Sequence, residues 1–214
     1  MSEQPHLTDQ SFLAQNIIEI YKKHARAWTE LRGDFLYEKA WLDHFLSFIS
    51  PQSDILDLGC GSGKPIANYL IQNGHVITGV DSSDTMIAMA QQNFLPQKFP
   101  DHQWIHADMR AVNLQKKFQG ILAWDSFFHL TPNDQQAMFQ QFSKSAEQGT
   151  VLMFTSGPAD GEVVGDMFGE ALYHASLSQD KYRQLLSEHS FELVSMVAED
   201  VECAGHTVWL ARHI

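Results

Sequence analysis

The stretch Ile55-Leu56-Asp57-Leu58-Gly59-Cys60-Gly61-Ser62-Gly63-Lys64-Pro65 decides the fold. A short apolar run feeds three alternating glycines, and a helical pattern follows. Glycine lets a backbone take positive φ and lets a ligand come close. A glycine-rich turn between a strand and a helix N-terminus is a nucleotide-binding arrangement.

Outward from that turn, the text alternates between strand and helix. Strands are expected at 54–58, 75–80, 103–107, 118–124 and 150–155, with helices over 64–72, after Ser82 or Ser83, and after Thr131-Pro132-Asn133-Asp134. The last of these places a capping hydroxyl, a first-turn proline and an acid in register for a helix start. Alternation at this spacing predicts an α/β fold with a parallel sheet covered on both faces. Residues 191–198 and 206–211 read as two further strands, too closely joined for a crossover helix, and so antiparallel. Ser178 caps a helix before them.

The first fifty residues read as two helices, the first capped by Asp9 and the second running from Phe35 to Ile49. A polar link carrying Arg26, Trp28, Glu30 and Arg32 joins them. The resulting scheme is one domain: a helical cap over 1–50, a core over 51–155, a glycine-rich loop or lid over 156–176, and a helix with a strand pair over 177–214.

Composition narrows the function. The formal net charge is −12 and no long Lys/Arg cluster occurs, which argues against nucleic acid or an anionic membrane surface as partner. The apolar share of 44% supports a sizeable core, and no apolar run has the length of a membrane span. The polar start Met1-Ser2-Glu3-Gln4-Pro5-His6 lacks the pattern of a signal peptide, and two cysteines suit a reduced compartment, so a cytoplasmic location is expected. No histidines and cysteines sit at metal-ligand spacing.

The glycines at 59, 61 and 63 are spaced G-x-G-x-G, not G-x-G-x-x-G, and Asp57 precedes them. A pyrophosphate would be repelled there; a cationic ligand would not. Asp81 ends the second strand, where an acid accepts ribose hydroxyls. Asp108 ends the third strand, placed for an adenine amine, with Met109 against the ring. The implied ligand has a ribose, a purine, a positive charge and no phosphate, and S-adenosylmethionine fits.

Ile55–Gly63, Gly79-Val80-Asp81-Ser82-Ser83, His106-Ala107-Asp108-Met109 and Trp124-Asp125-Ser126-Phe127-Phe128-His129-Leu130 together resemble the class I S-adenosylmethionine-dependent methyltransferases, in particular small bacterial enzymes acting on small molecules. The resemblance covers about residues 50–155. It implies a Rossmann-like, doubly wound, seven-stranded, mostly parallel sheet with the last strand antiparallel. It also implies transfer of a methyl group to a small-molecule acceptor, on oxygen, nitrogen or carbon, with S-adenosylhomocysteine as product.

Carried over, Gly59, Gly61, Gly63 and Asp57 lie at the methionine and ribose part of the cofactor. Asp81 and Ser82 lie at the ribose, Asp108 and Met109 at adenine, and Asp125 and Ser126 between cofactor and acceptor. Tyr21, in the stretch Tyr21–Trp28 that resembles the family's N-terminal closing element, and Arg32 beyond it are further candidate cofactor contacts; an arginine suits the methionine carboxylate. A hydroxyl acceptor calls for a base, and His129 is the candidate, ahead of His174 and His206. The Asn/Asp-Pro-Pro-aromatic motif of amino-directed enzymes is missing at Asp125-Ser126-Phe127-Phe128, which disfavours a planar amine as acceptor. Two alternatives stand beside this reading: a non-catalytic protein that binds the cofactor, and an NAD-dependent oxidoreductase.

Overall fold

The computed structural model describes residues 10–214, so the cap expected at Asp9 lies outside the described residues. In chain order the elements are α1 (Gln10–Arg32), α2 (Lys39–Leu46), β1 (Asp54–Leu58), α3 (Ile66–Gln72), β2 (Val76–Asp81), α4 (Asp84–Asn93), β3 (Gln103–His106), β4 (Phe118–Ala123), α5 (Pro132–Ser145), β5 (Ala146–Ser156), β6 (Gly161–Met167), β7 (Glu170–Ser176), α6 (Gln179–Glu188), β8 (Phe191–Asp200) and β9 (His206–His213). Seven strands make one sheet in the order β3-β2-β1-β4-β5-β9-β8. The first five pair in parallel, and β9 runs antiparallel to both β5 and β8.

Both faces of this sheet are apolar, as a covered sheet requires. On one face α5 and α6 bring Met138, Phe139, Phe142, Tyr182 and Leu185 onto Leu56, Leu58, Ile121 and Trp209. On the other, α2 and α3 bring Trp41, Leu42, Phe45 and Leu70 onto Ile55, Ile77, Leu122 and Leu210. Gly120 makes that second contact close: a Cβ there would lie 2.6 Å from Phe45 and 2.8 Å from Ile49. So α2 is a covering helix of the sheet rather than part of a cap.

Three expectations are corrected. The polar link at residues 26–32 is helical, because α1 runs unbroken for 23 residues to Arg32. Gly33, at φ +60, ends it with its N–H on the Thr29 carbonyl at 3.1 Å. The second helix starts at Lys39, not Phe35. Residues 156–176 are not a loop but end in the β6–β7 hairpin, whose turn residues Phe168 and Gly169 both have positive φ (55 and 83). Its glycines and acids lie mostly on the exposed β6, while β7 is the buried strand.

The hairpin and α1 hold each other. Leu13, Ile17 and Ile20 of α1 are buried against Met167, Leu172, Tyr173 and Ala175, a cluster separate from the two sheet cores. Burying each of the three helix side chains stabilises the contact by about 1.5–3 kcal/mol at most. This pairing carries α1 across the C-terminal ends of the parallel strands.

Candidate functional site

A cavity of about 1240 Å³, counted with its open mouth, lies beyond the C-terminal ends of β1 to β4. That is where open α/β sheets bind ligands. Residues 14–32 of α1 roof it.

The glycine turn shapes the floor. Gly59 N and Cys60 N both donate to the Val80 carbonyl, at 2.7 and 3.1 Å, which folds the turn against β2. Gly59 has φ +81, and a Cβ on it would lie 2.2 Å from the Ser126 Cβ, so only glycine lets the turn meet the segment after β4. Gly61, at φ +53, has no neighbour nearer than 3.9 Å on its open side. Gly63 does not line the cavity: its open side faces Phe94 and Trp104 at 2.7 and 2.9 Å. A Cβ at this position would run into both aromatic rings, so Gly63 serves the packing of the turn.

Asp81 organises the turn. Its two carboxylate oxygens accept from Gly61 N at 2.9 Å and Ser83 N at 2.8 Å. Burial pushes this carboxyl up, and the two backbone donors offset part of the rise. Each oxygen keeps a further lone pair for a ligand hydroxyl. Ser82 stands beside it in the wall, and Ser83 caps α4 through Met86 N. Asp57 is 4% exposed and has no hydrogen-bonding side chain among the described residues. Burial and the neighbouring charge of Asp81 push its carboxyl up to about 7. A cation at this place would restore its ionisation.

Asp108 lines the cavity but is already engaged. It accepts from Arg110 N at 2.9 Å and Arg110 Nε at 3.0 Å, and Arg110 also donates to Asp134 at 2.9 Å. Burial would raise the Asp108 carboxyl; the guanidinium outweighs it and holds it below the usual range. Met109 comes within 3.5 Å of the Gly59 Cβ position. Arg110 and Asp134 were not expected in the wall. The capping pattern at Thr131 to Asp134 marked the helix start but not the partner of its acid.

Arg32 reaches the cavity, yet its guanidinium is bound to Glu38, which is 0% exposed, to the Phe35 carbonyl at 2.7 Å, and lies 4.3 Å over the Tyr37 ring. Lys64 lines the wall and has no acidic partner among the described residues. Trp124, also in the wall, keeps its indole N–H buried without a partner.

Asp125 has φ +46, a left-handed backbone that is rare for a residue with a Cβ. Its N–H donates to Thr155 Oγ1 at 2.9 Å; Tyr37 donates to its Oδ2 at 3.0 Å. His206 Nε2 lies 2.9 Å from Oδ1. Ser126 donates to the Leu58 carbonyl at 2.7 Å.

Tyr21 and His129 face each other in the roof and wall, with Tyr21 Oη 2.9 Å from His129 Nε2. His129 Nδ1 lies 2.8 Å from the Tyr173 carbonyl. A carbonyl only accepts, so Nδ1 carries the proton and Nε2 accepts from Tyr21. Burial lowers His129 to about 4, against a smaller opposing effect of the carbonyl. Burial and the charges of Asp125 and Asp81 push the Tyr21 phenol up, so it remains a donor. The base expected at His129 is thus a weak one whose lone pair is occupied. His174 lies on β7, its ring centroid 4.8 Å from that of His129, and shares a second, more apolar cavity with Phe128, Pro158 and Val163. Among the described residues no group of three His, Cys, Asp or Glu is placed to hold a metal, and no helix is long and apolar enough to cross a membrane.

A family model described as a methyltransferase domain matches residues 55–149. The chain is 26% identical over 210 residues to an O-methyltransferase of Pyrenophora dematioidea, covering 86% of this chain and 78% of that protein. It spans about half the length of other curated relatives, 54% of a putative methyltransferase of Bacillus subtilis and 50% of a ubiquinone biosynthesis O-methyltransferase of Albidiferax ferrireducens. Among solved structures, magnesium protoporphyrin IX methyltransferase from Synechocystis with bound S-adenosylhomocysteine superposes at TM-score 0.73 and 15% identity, over 94% of this chain and all (100%) of that one. A Burkholderia thailandensis 1,6-didemethyltoxoflavin-N1-methyltransferase superposes at 0.70 and 15%, over 99% and 93%.

Proposed function

We propose that the chain is a class I S-adenosylmethionine-dependent methyltransferase and that it methylates a small molecule held under α1, between the cofactor cavity and the β6–β7 hairpin. The observation that carries this reading is Asp57: a buried, unpartnered acid beside Asp81, in a cavity where a pyrophosphate has no cluster of free cations to meet. A sulfonium nucleoside suits that wall.

In this reading Asp81 takes the ribose hydroxyls and Met109 packs on the purine. Asp108, tied to Arg110, lies at the amine edge. Lys64 rather than Arg32 meets the cofactor carboxylate, since Arg32 is committed to Glu38. When bound, S-adenosylmethionine supplies an activated methyl group. What remains for the chain is alignment and exclusion of water. Tyr21, held by His129, fixes α1 over the site, and Trp28, Thr29 and Ile17 close it. His129 acts as a positioning residue here, because its lone pair is spent on Tyr21. The acidic surface supports a small acceptor over nucleic acid. The small-molecule substrates in the names of the toxoflavin and protoporphyrin enzymes agree with that. Phe128, Pro158 and Val163 offer an apolar lining to its carbon skeleton. Two buried free cysteines, Cys60 and Cys203, support a cytoplasmic location.

Calorimetric titration with S-adenosylhomocysteine and with NADH tests the reading. Binding of the first, weakened about tenfold or more in Asp81→Asn, is expected. Tight binding of NADH alone would overturn it.

A further inference from the structure

His206 lies far from every motif that marks the cofactor site, yet it reaches Asp125 in the cavity wall. Its Nδ1 faces the Cys203 carbonyl at 2.7 Å and its Nε2 faces Asp125 Oδ1 at 2.9 Å. The carbonyl fixes a proton on Nδ1, so a protonated imidazole places its second proton between Nε2 and the carboxylate. Whichever atom carries it, the pair has no net charge. The ring is stacked between Tyr37 and Trp124, with centroids 5.2 and 5.6 Å away and interplanar angles of 23° and 26°. Tyr37 closes the arrangement by donating to the other Asp125 oxygen. Asp125 meanwhile holds a left-handed backbone, which persists only where its surroundings impose it.

We propose that His206 is a positioning residue for methyl transfer: it clamps Asp125 in the cavity wall and cancels its charge there, so that loss of its proton shifts the cavity toward cationic over neutral ligands. The proposal rests on the cofactor reading above. S-adenosylmethionine carries the sulfonium charge and S-adenosylhomocysteine does not, so the state of His206 sets the discrimination between substrate and product. The charged and titratable groups around the ring are Asp125 at the end of β4, Arg32 at the end of α1, Tyr37 and Glu38 before α2, and Asp200 and Cys203 before β9. Burial lowers the imidazole and Asp125 raises it by more, so the net direction is upward. The proton is therefore held to higher pH than on a free imidazole. Asp57, raised to about 7, also titrates in this cavity, so the informative quantity is the difference between the natural protein and a His206 variant.

The test is calorimetry with both ligands from about pH 6 to about pH 9. In the natural protein the affinity ratio of S-adenosylmethionine to S-adenosylhomocysteine should rise about fivefold more than in His206→Gln, as expected for one uncancelled charge lining the site. His206→Gln should show the higher ratio already at the acid end. Asp125→Asn should lower the ratio and remove the His206-dependent rise. Tyr37→Phe leaves the imidazole in place and should keep it, which guards against a variant that merely fails to fold. Equal pH dependence in the natural protein and His206→Gln would overturn the proposal. Failure of both ligands to bind the natural protein would overturn the cofactor reading and the proposal together.

Discussion

Tyr21 Oη donates to His129 Nε2 across 2.9 Å, joining the helix that roofs the cavity to the segment that follows β4. The same imidazole is anchored on its other side by the Tyr173 carbonyl of β7 at 2.8 Å. One buried ring thus connects roof, wall and hairpin.

Removing the donor should be measurable. Tyr21→Phe leaves His129 Nε2 buried without a partner, and an orphaned buried acceptor costs about 1–3 kcal/mol. Urea denaturation should show a lower midpoint with little change in slope. An unaltered midpoint would mean that the contact contributes nothing in solution.

Asp57 should make the ligand-free fold more stable at low pH than its other acids would suggest. Its carboxyl is raised to about 7, so the folded state holds a proton that the unfolded state releases near the ordinary carboxylate value. Stability from this group is full below the unfolded value and declines as pH rises toward 7. Asp57→Asn should accordingly be more stable than the natural protein at about pH 8, by ~1–3 kcal/mol, and nearly equal at about pH 4. Denaturant midpoints at the two pH values check the sign, and the variant should bind the cationic cofactor more weakly.

His129 acts in the opposite direction. Its folded value, about 4, lies below the unfolded one, so protonation favours the unfolded chain. Its contribution is present above roughly pH 6.5 and lost as pH falls toward 4. In His129→Asn the fall in stability over that window should be shallower, as read from melting temperatures in steps of pH.

Arg32 and Glu38 form a buried pair, with Glu38 0% exposed. Arg32→Met alone strands a carboxylate and should cost about 3–5 kcal/mol. The double change Arg32→Met with Glu38→Gln should recover much of that loss. A double variant as unstable as the single one would show that packing, not charge, dominates here.

The three glycines should separate by role. Gly63→Ala drives a Cβ into Phe94 and Trp104 at 2.7 and 2.9 Å, and should destabilise by about 1–3 kcal/mol. Gly61→Ala meets nothing nearer than 3.9 Å, and its cost is that of φ +53, about 1–2 kcal/mol. Its larger effect should be on cofactor affinity, since Gly61 lines the cavity. Equal binding by Gly61→Ala and the natural protein would contradict this division.

Much of the architecture was legible in the chain. Apolar runs, capping residues at Ser83, Thr131 and Ser178, and the short join before β9 all act through near neighbours, so the element order and the strand directions could be read from them. The misread segments were those whose structure depends on distant partners. Residues 26–32 look polar because Arg26 and Glu30 face solvent while Thr29 and Arg32 line the cavity. The β6–β7 hairpin looks like a loop because it packs on α1, about 150 residues earlier, rather than on the sheet.

The same division runs through the site. The acids at 57, 81, 108 and 125 fall at or beside the ends of successive strands, and their positions were evident from the sequence alone, because a strand's end is a local property. Their chemical states were not. Whether Asp57 is orphaned, Asp108 tied to Arg110, Arg32 spent on Glu38, or Asp125 held by His206 depends on which strand ends the sheet order places side by side. Insertion of β9 next to β5 is what brings residue 206 to residue 125. Burial and pairing set the charge of each group, and both are properties of the packed molecule, so only the tertiary structure decided how these acids can be used.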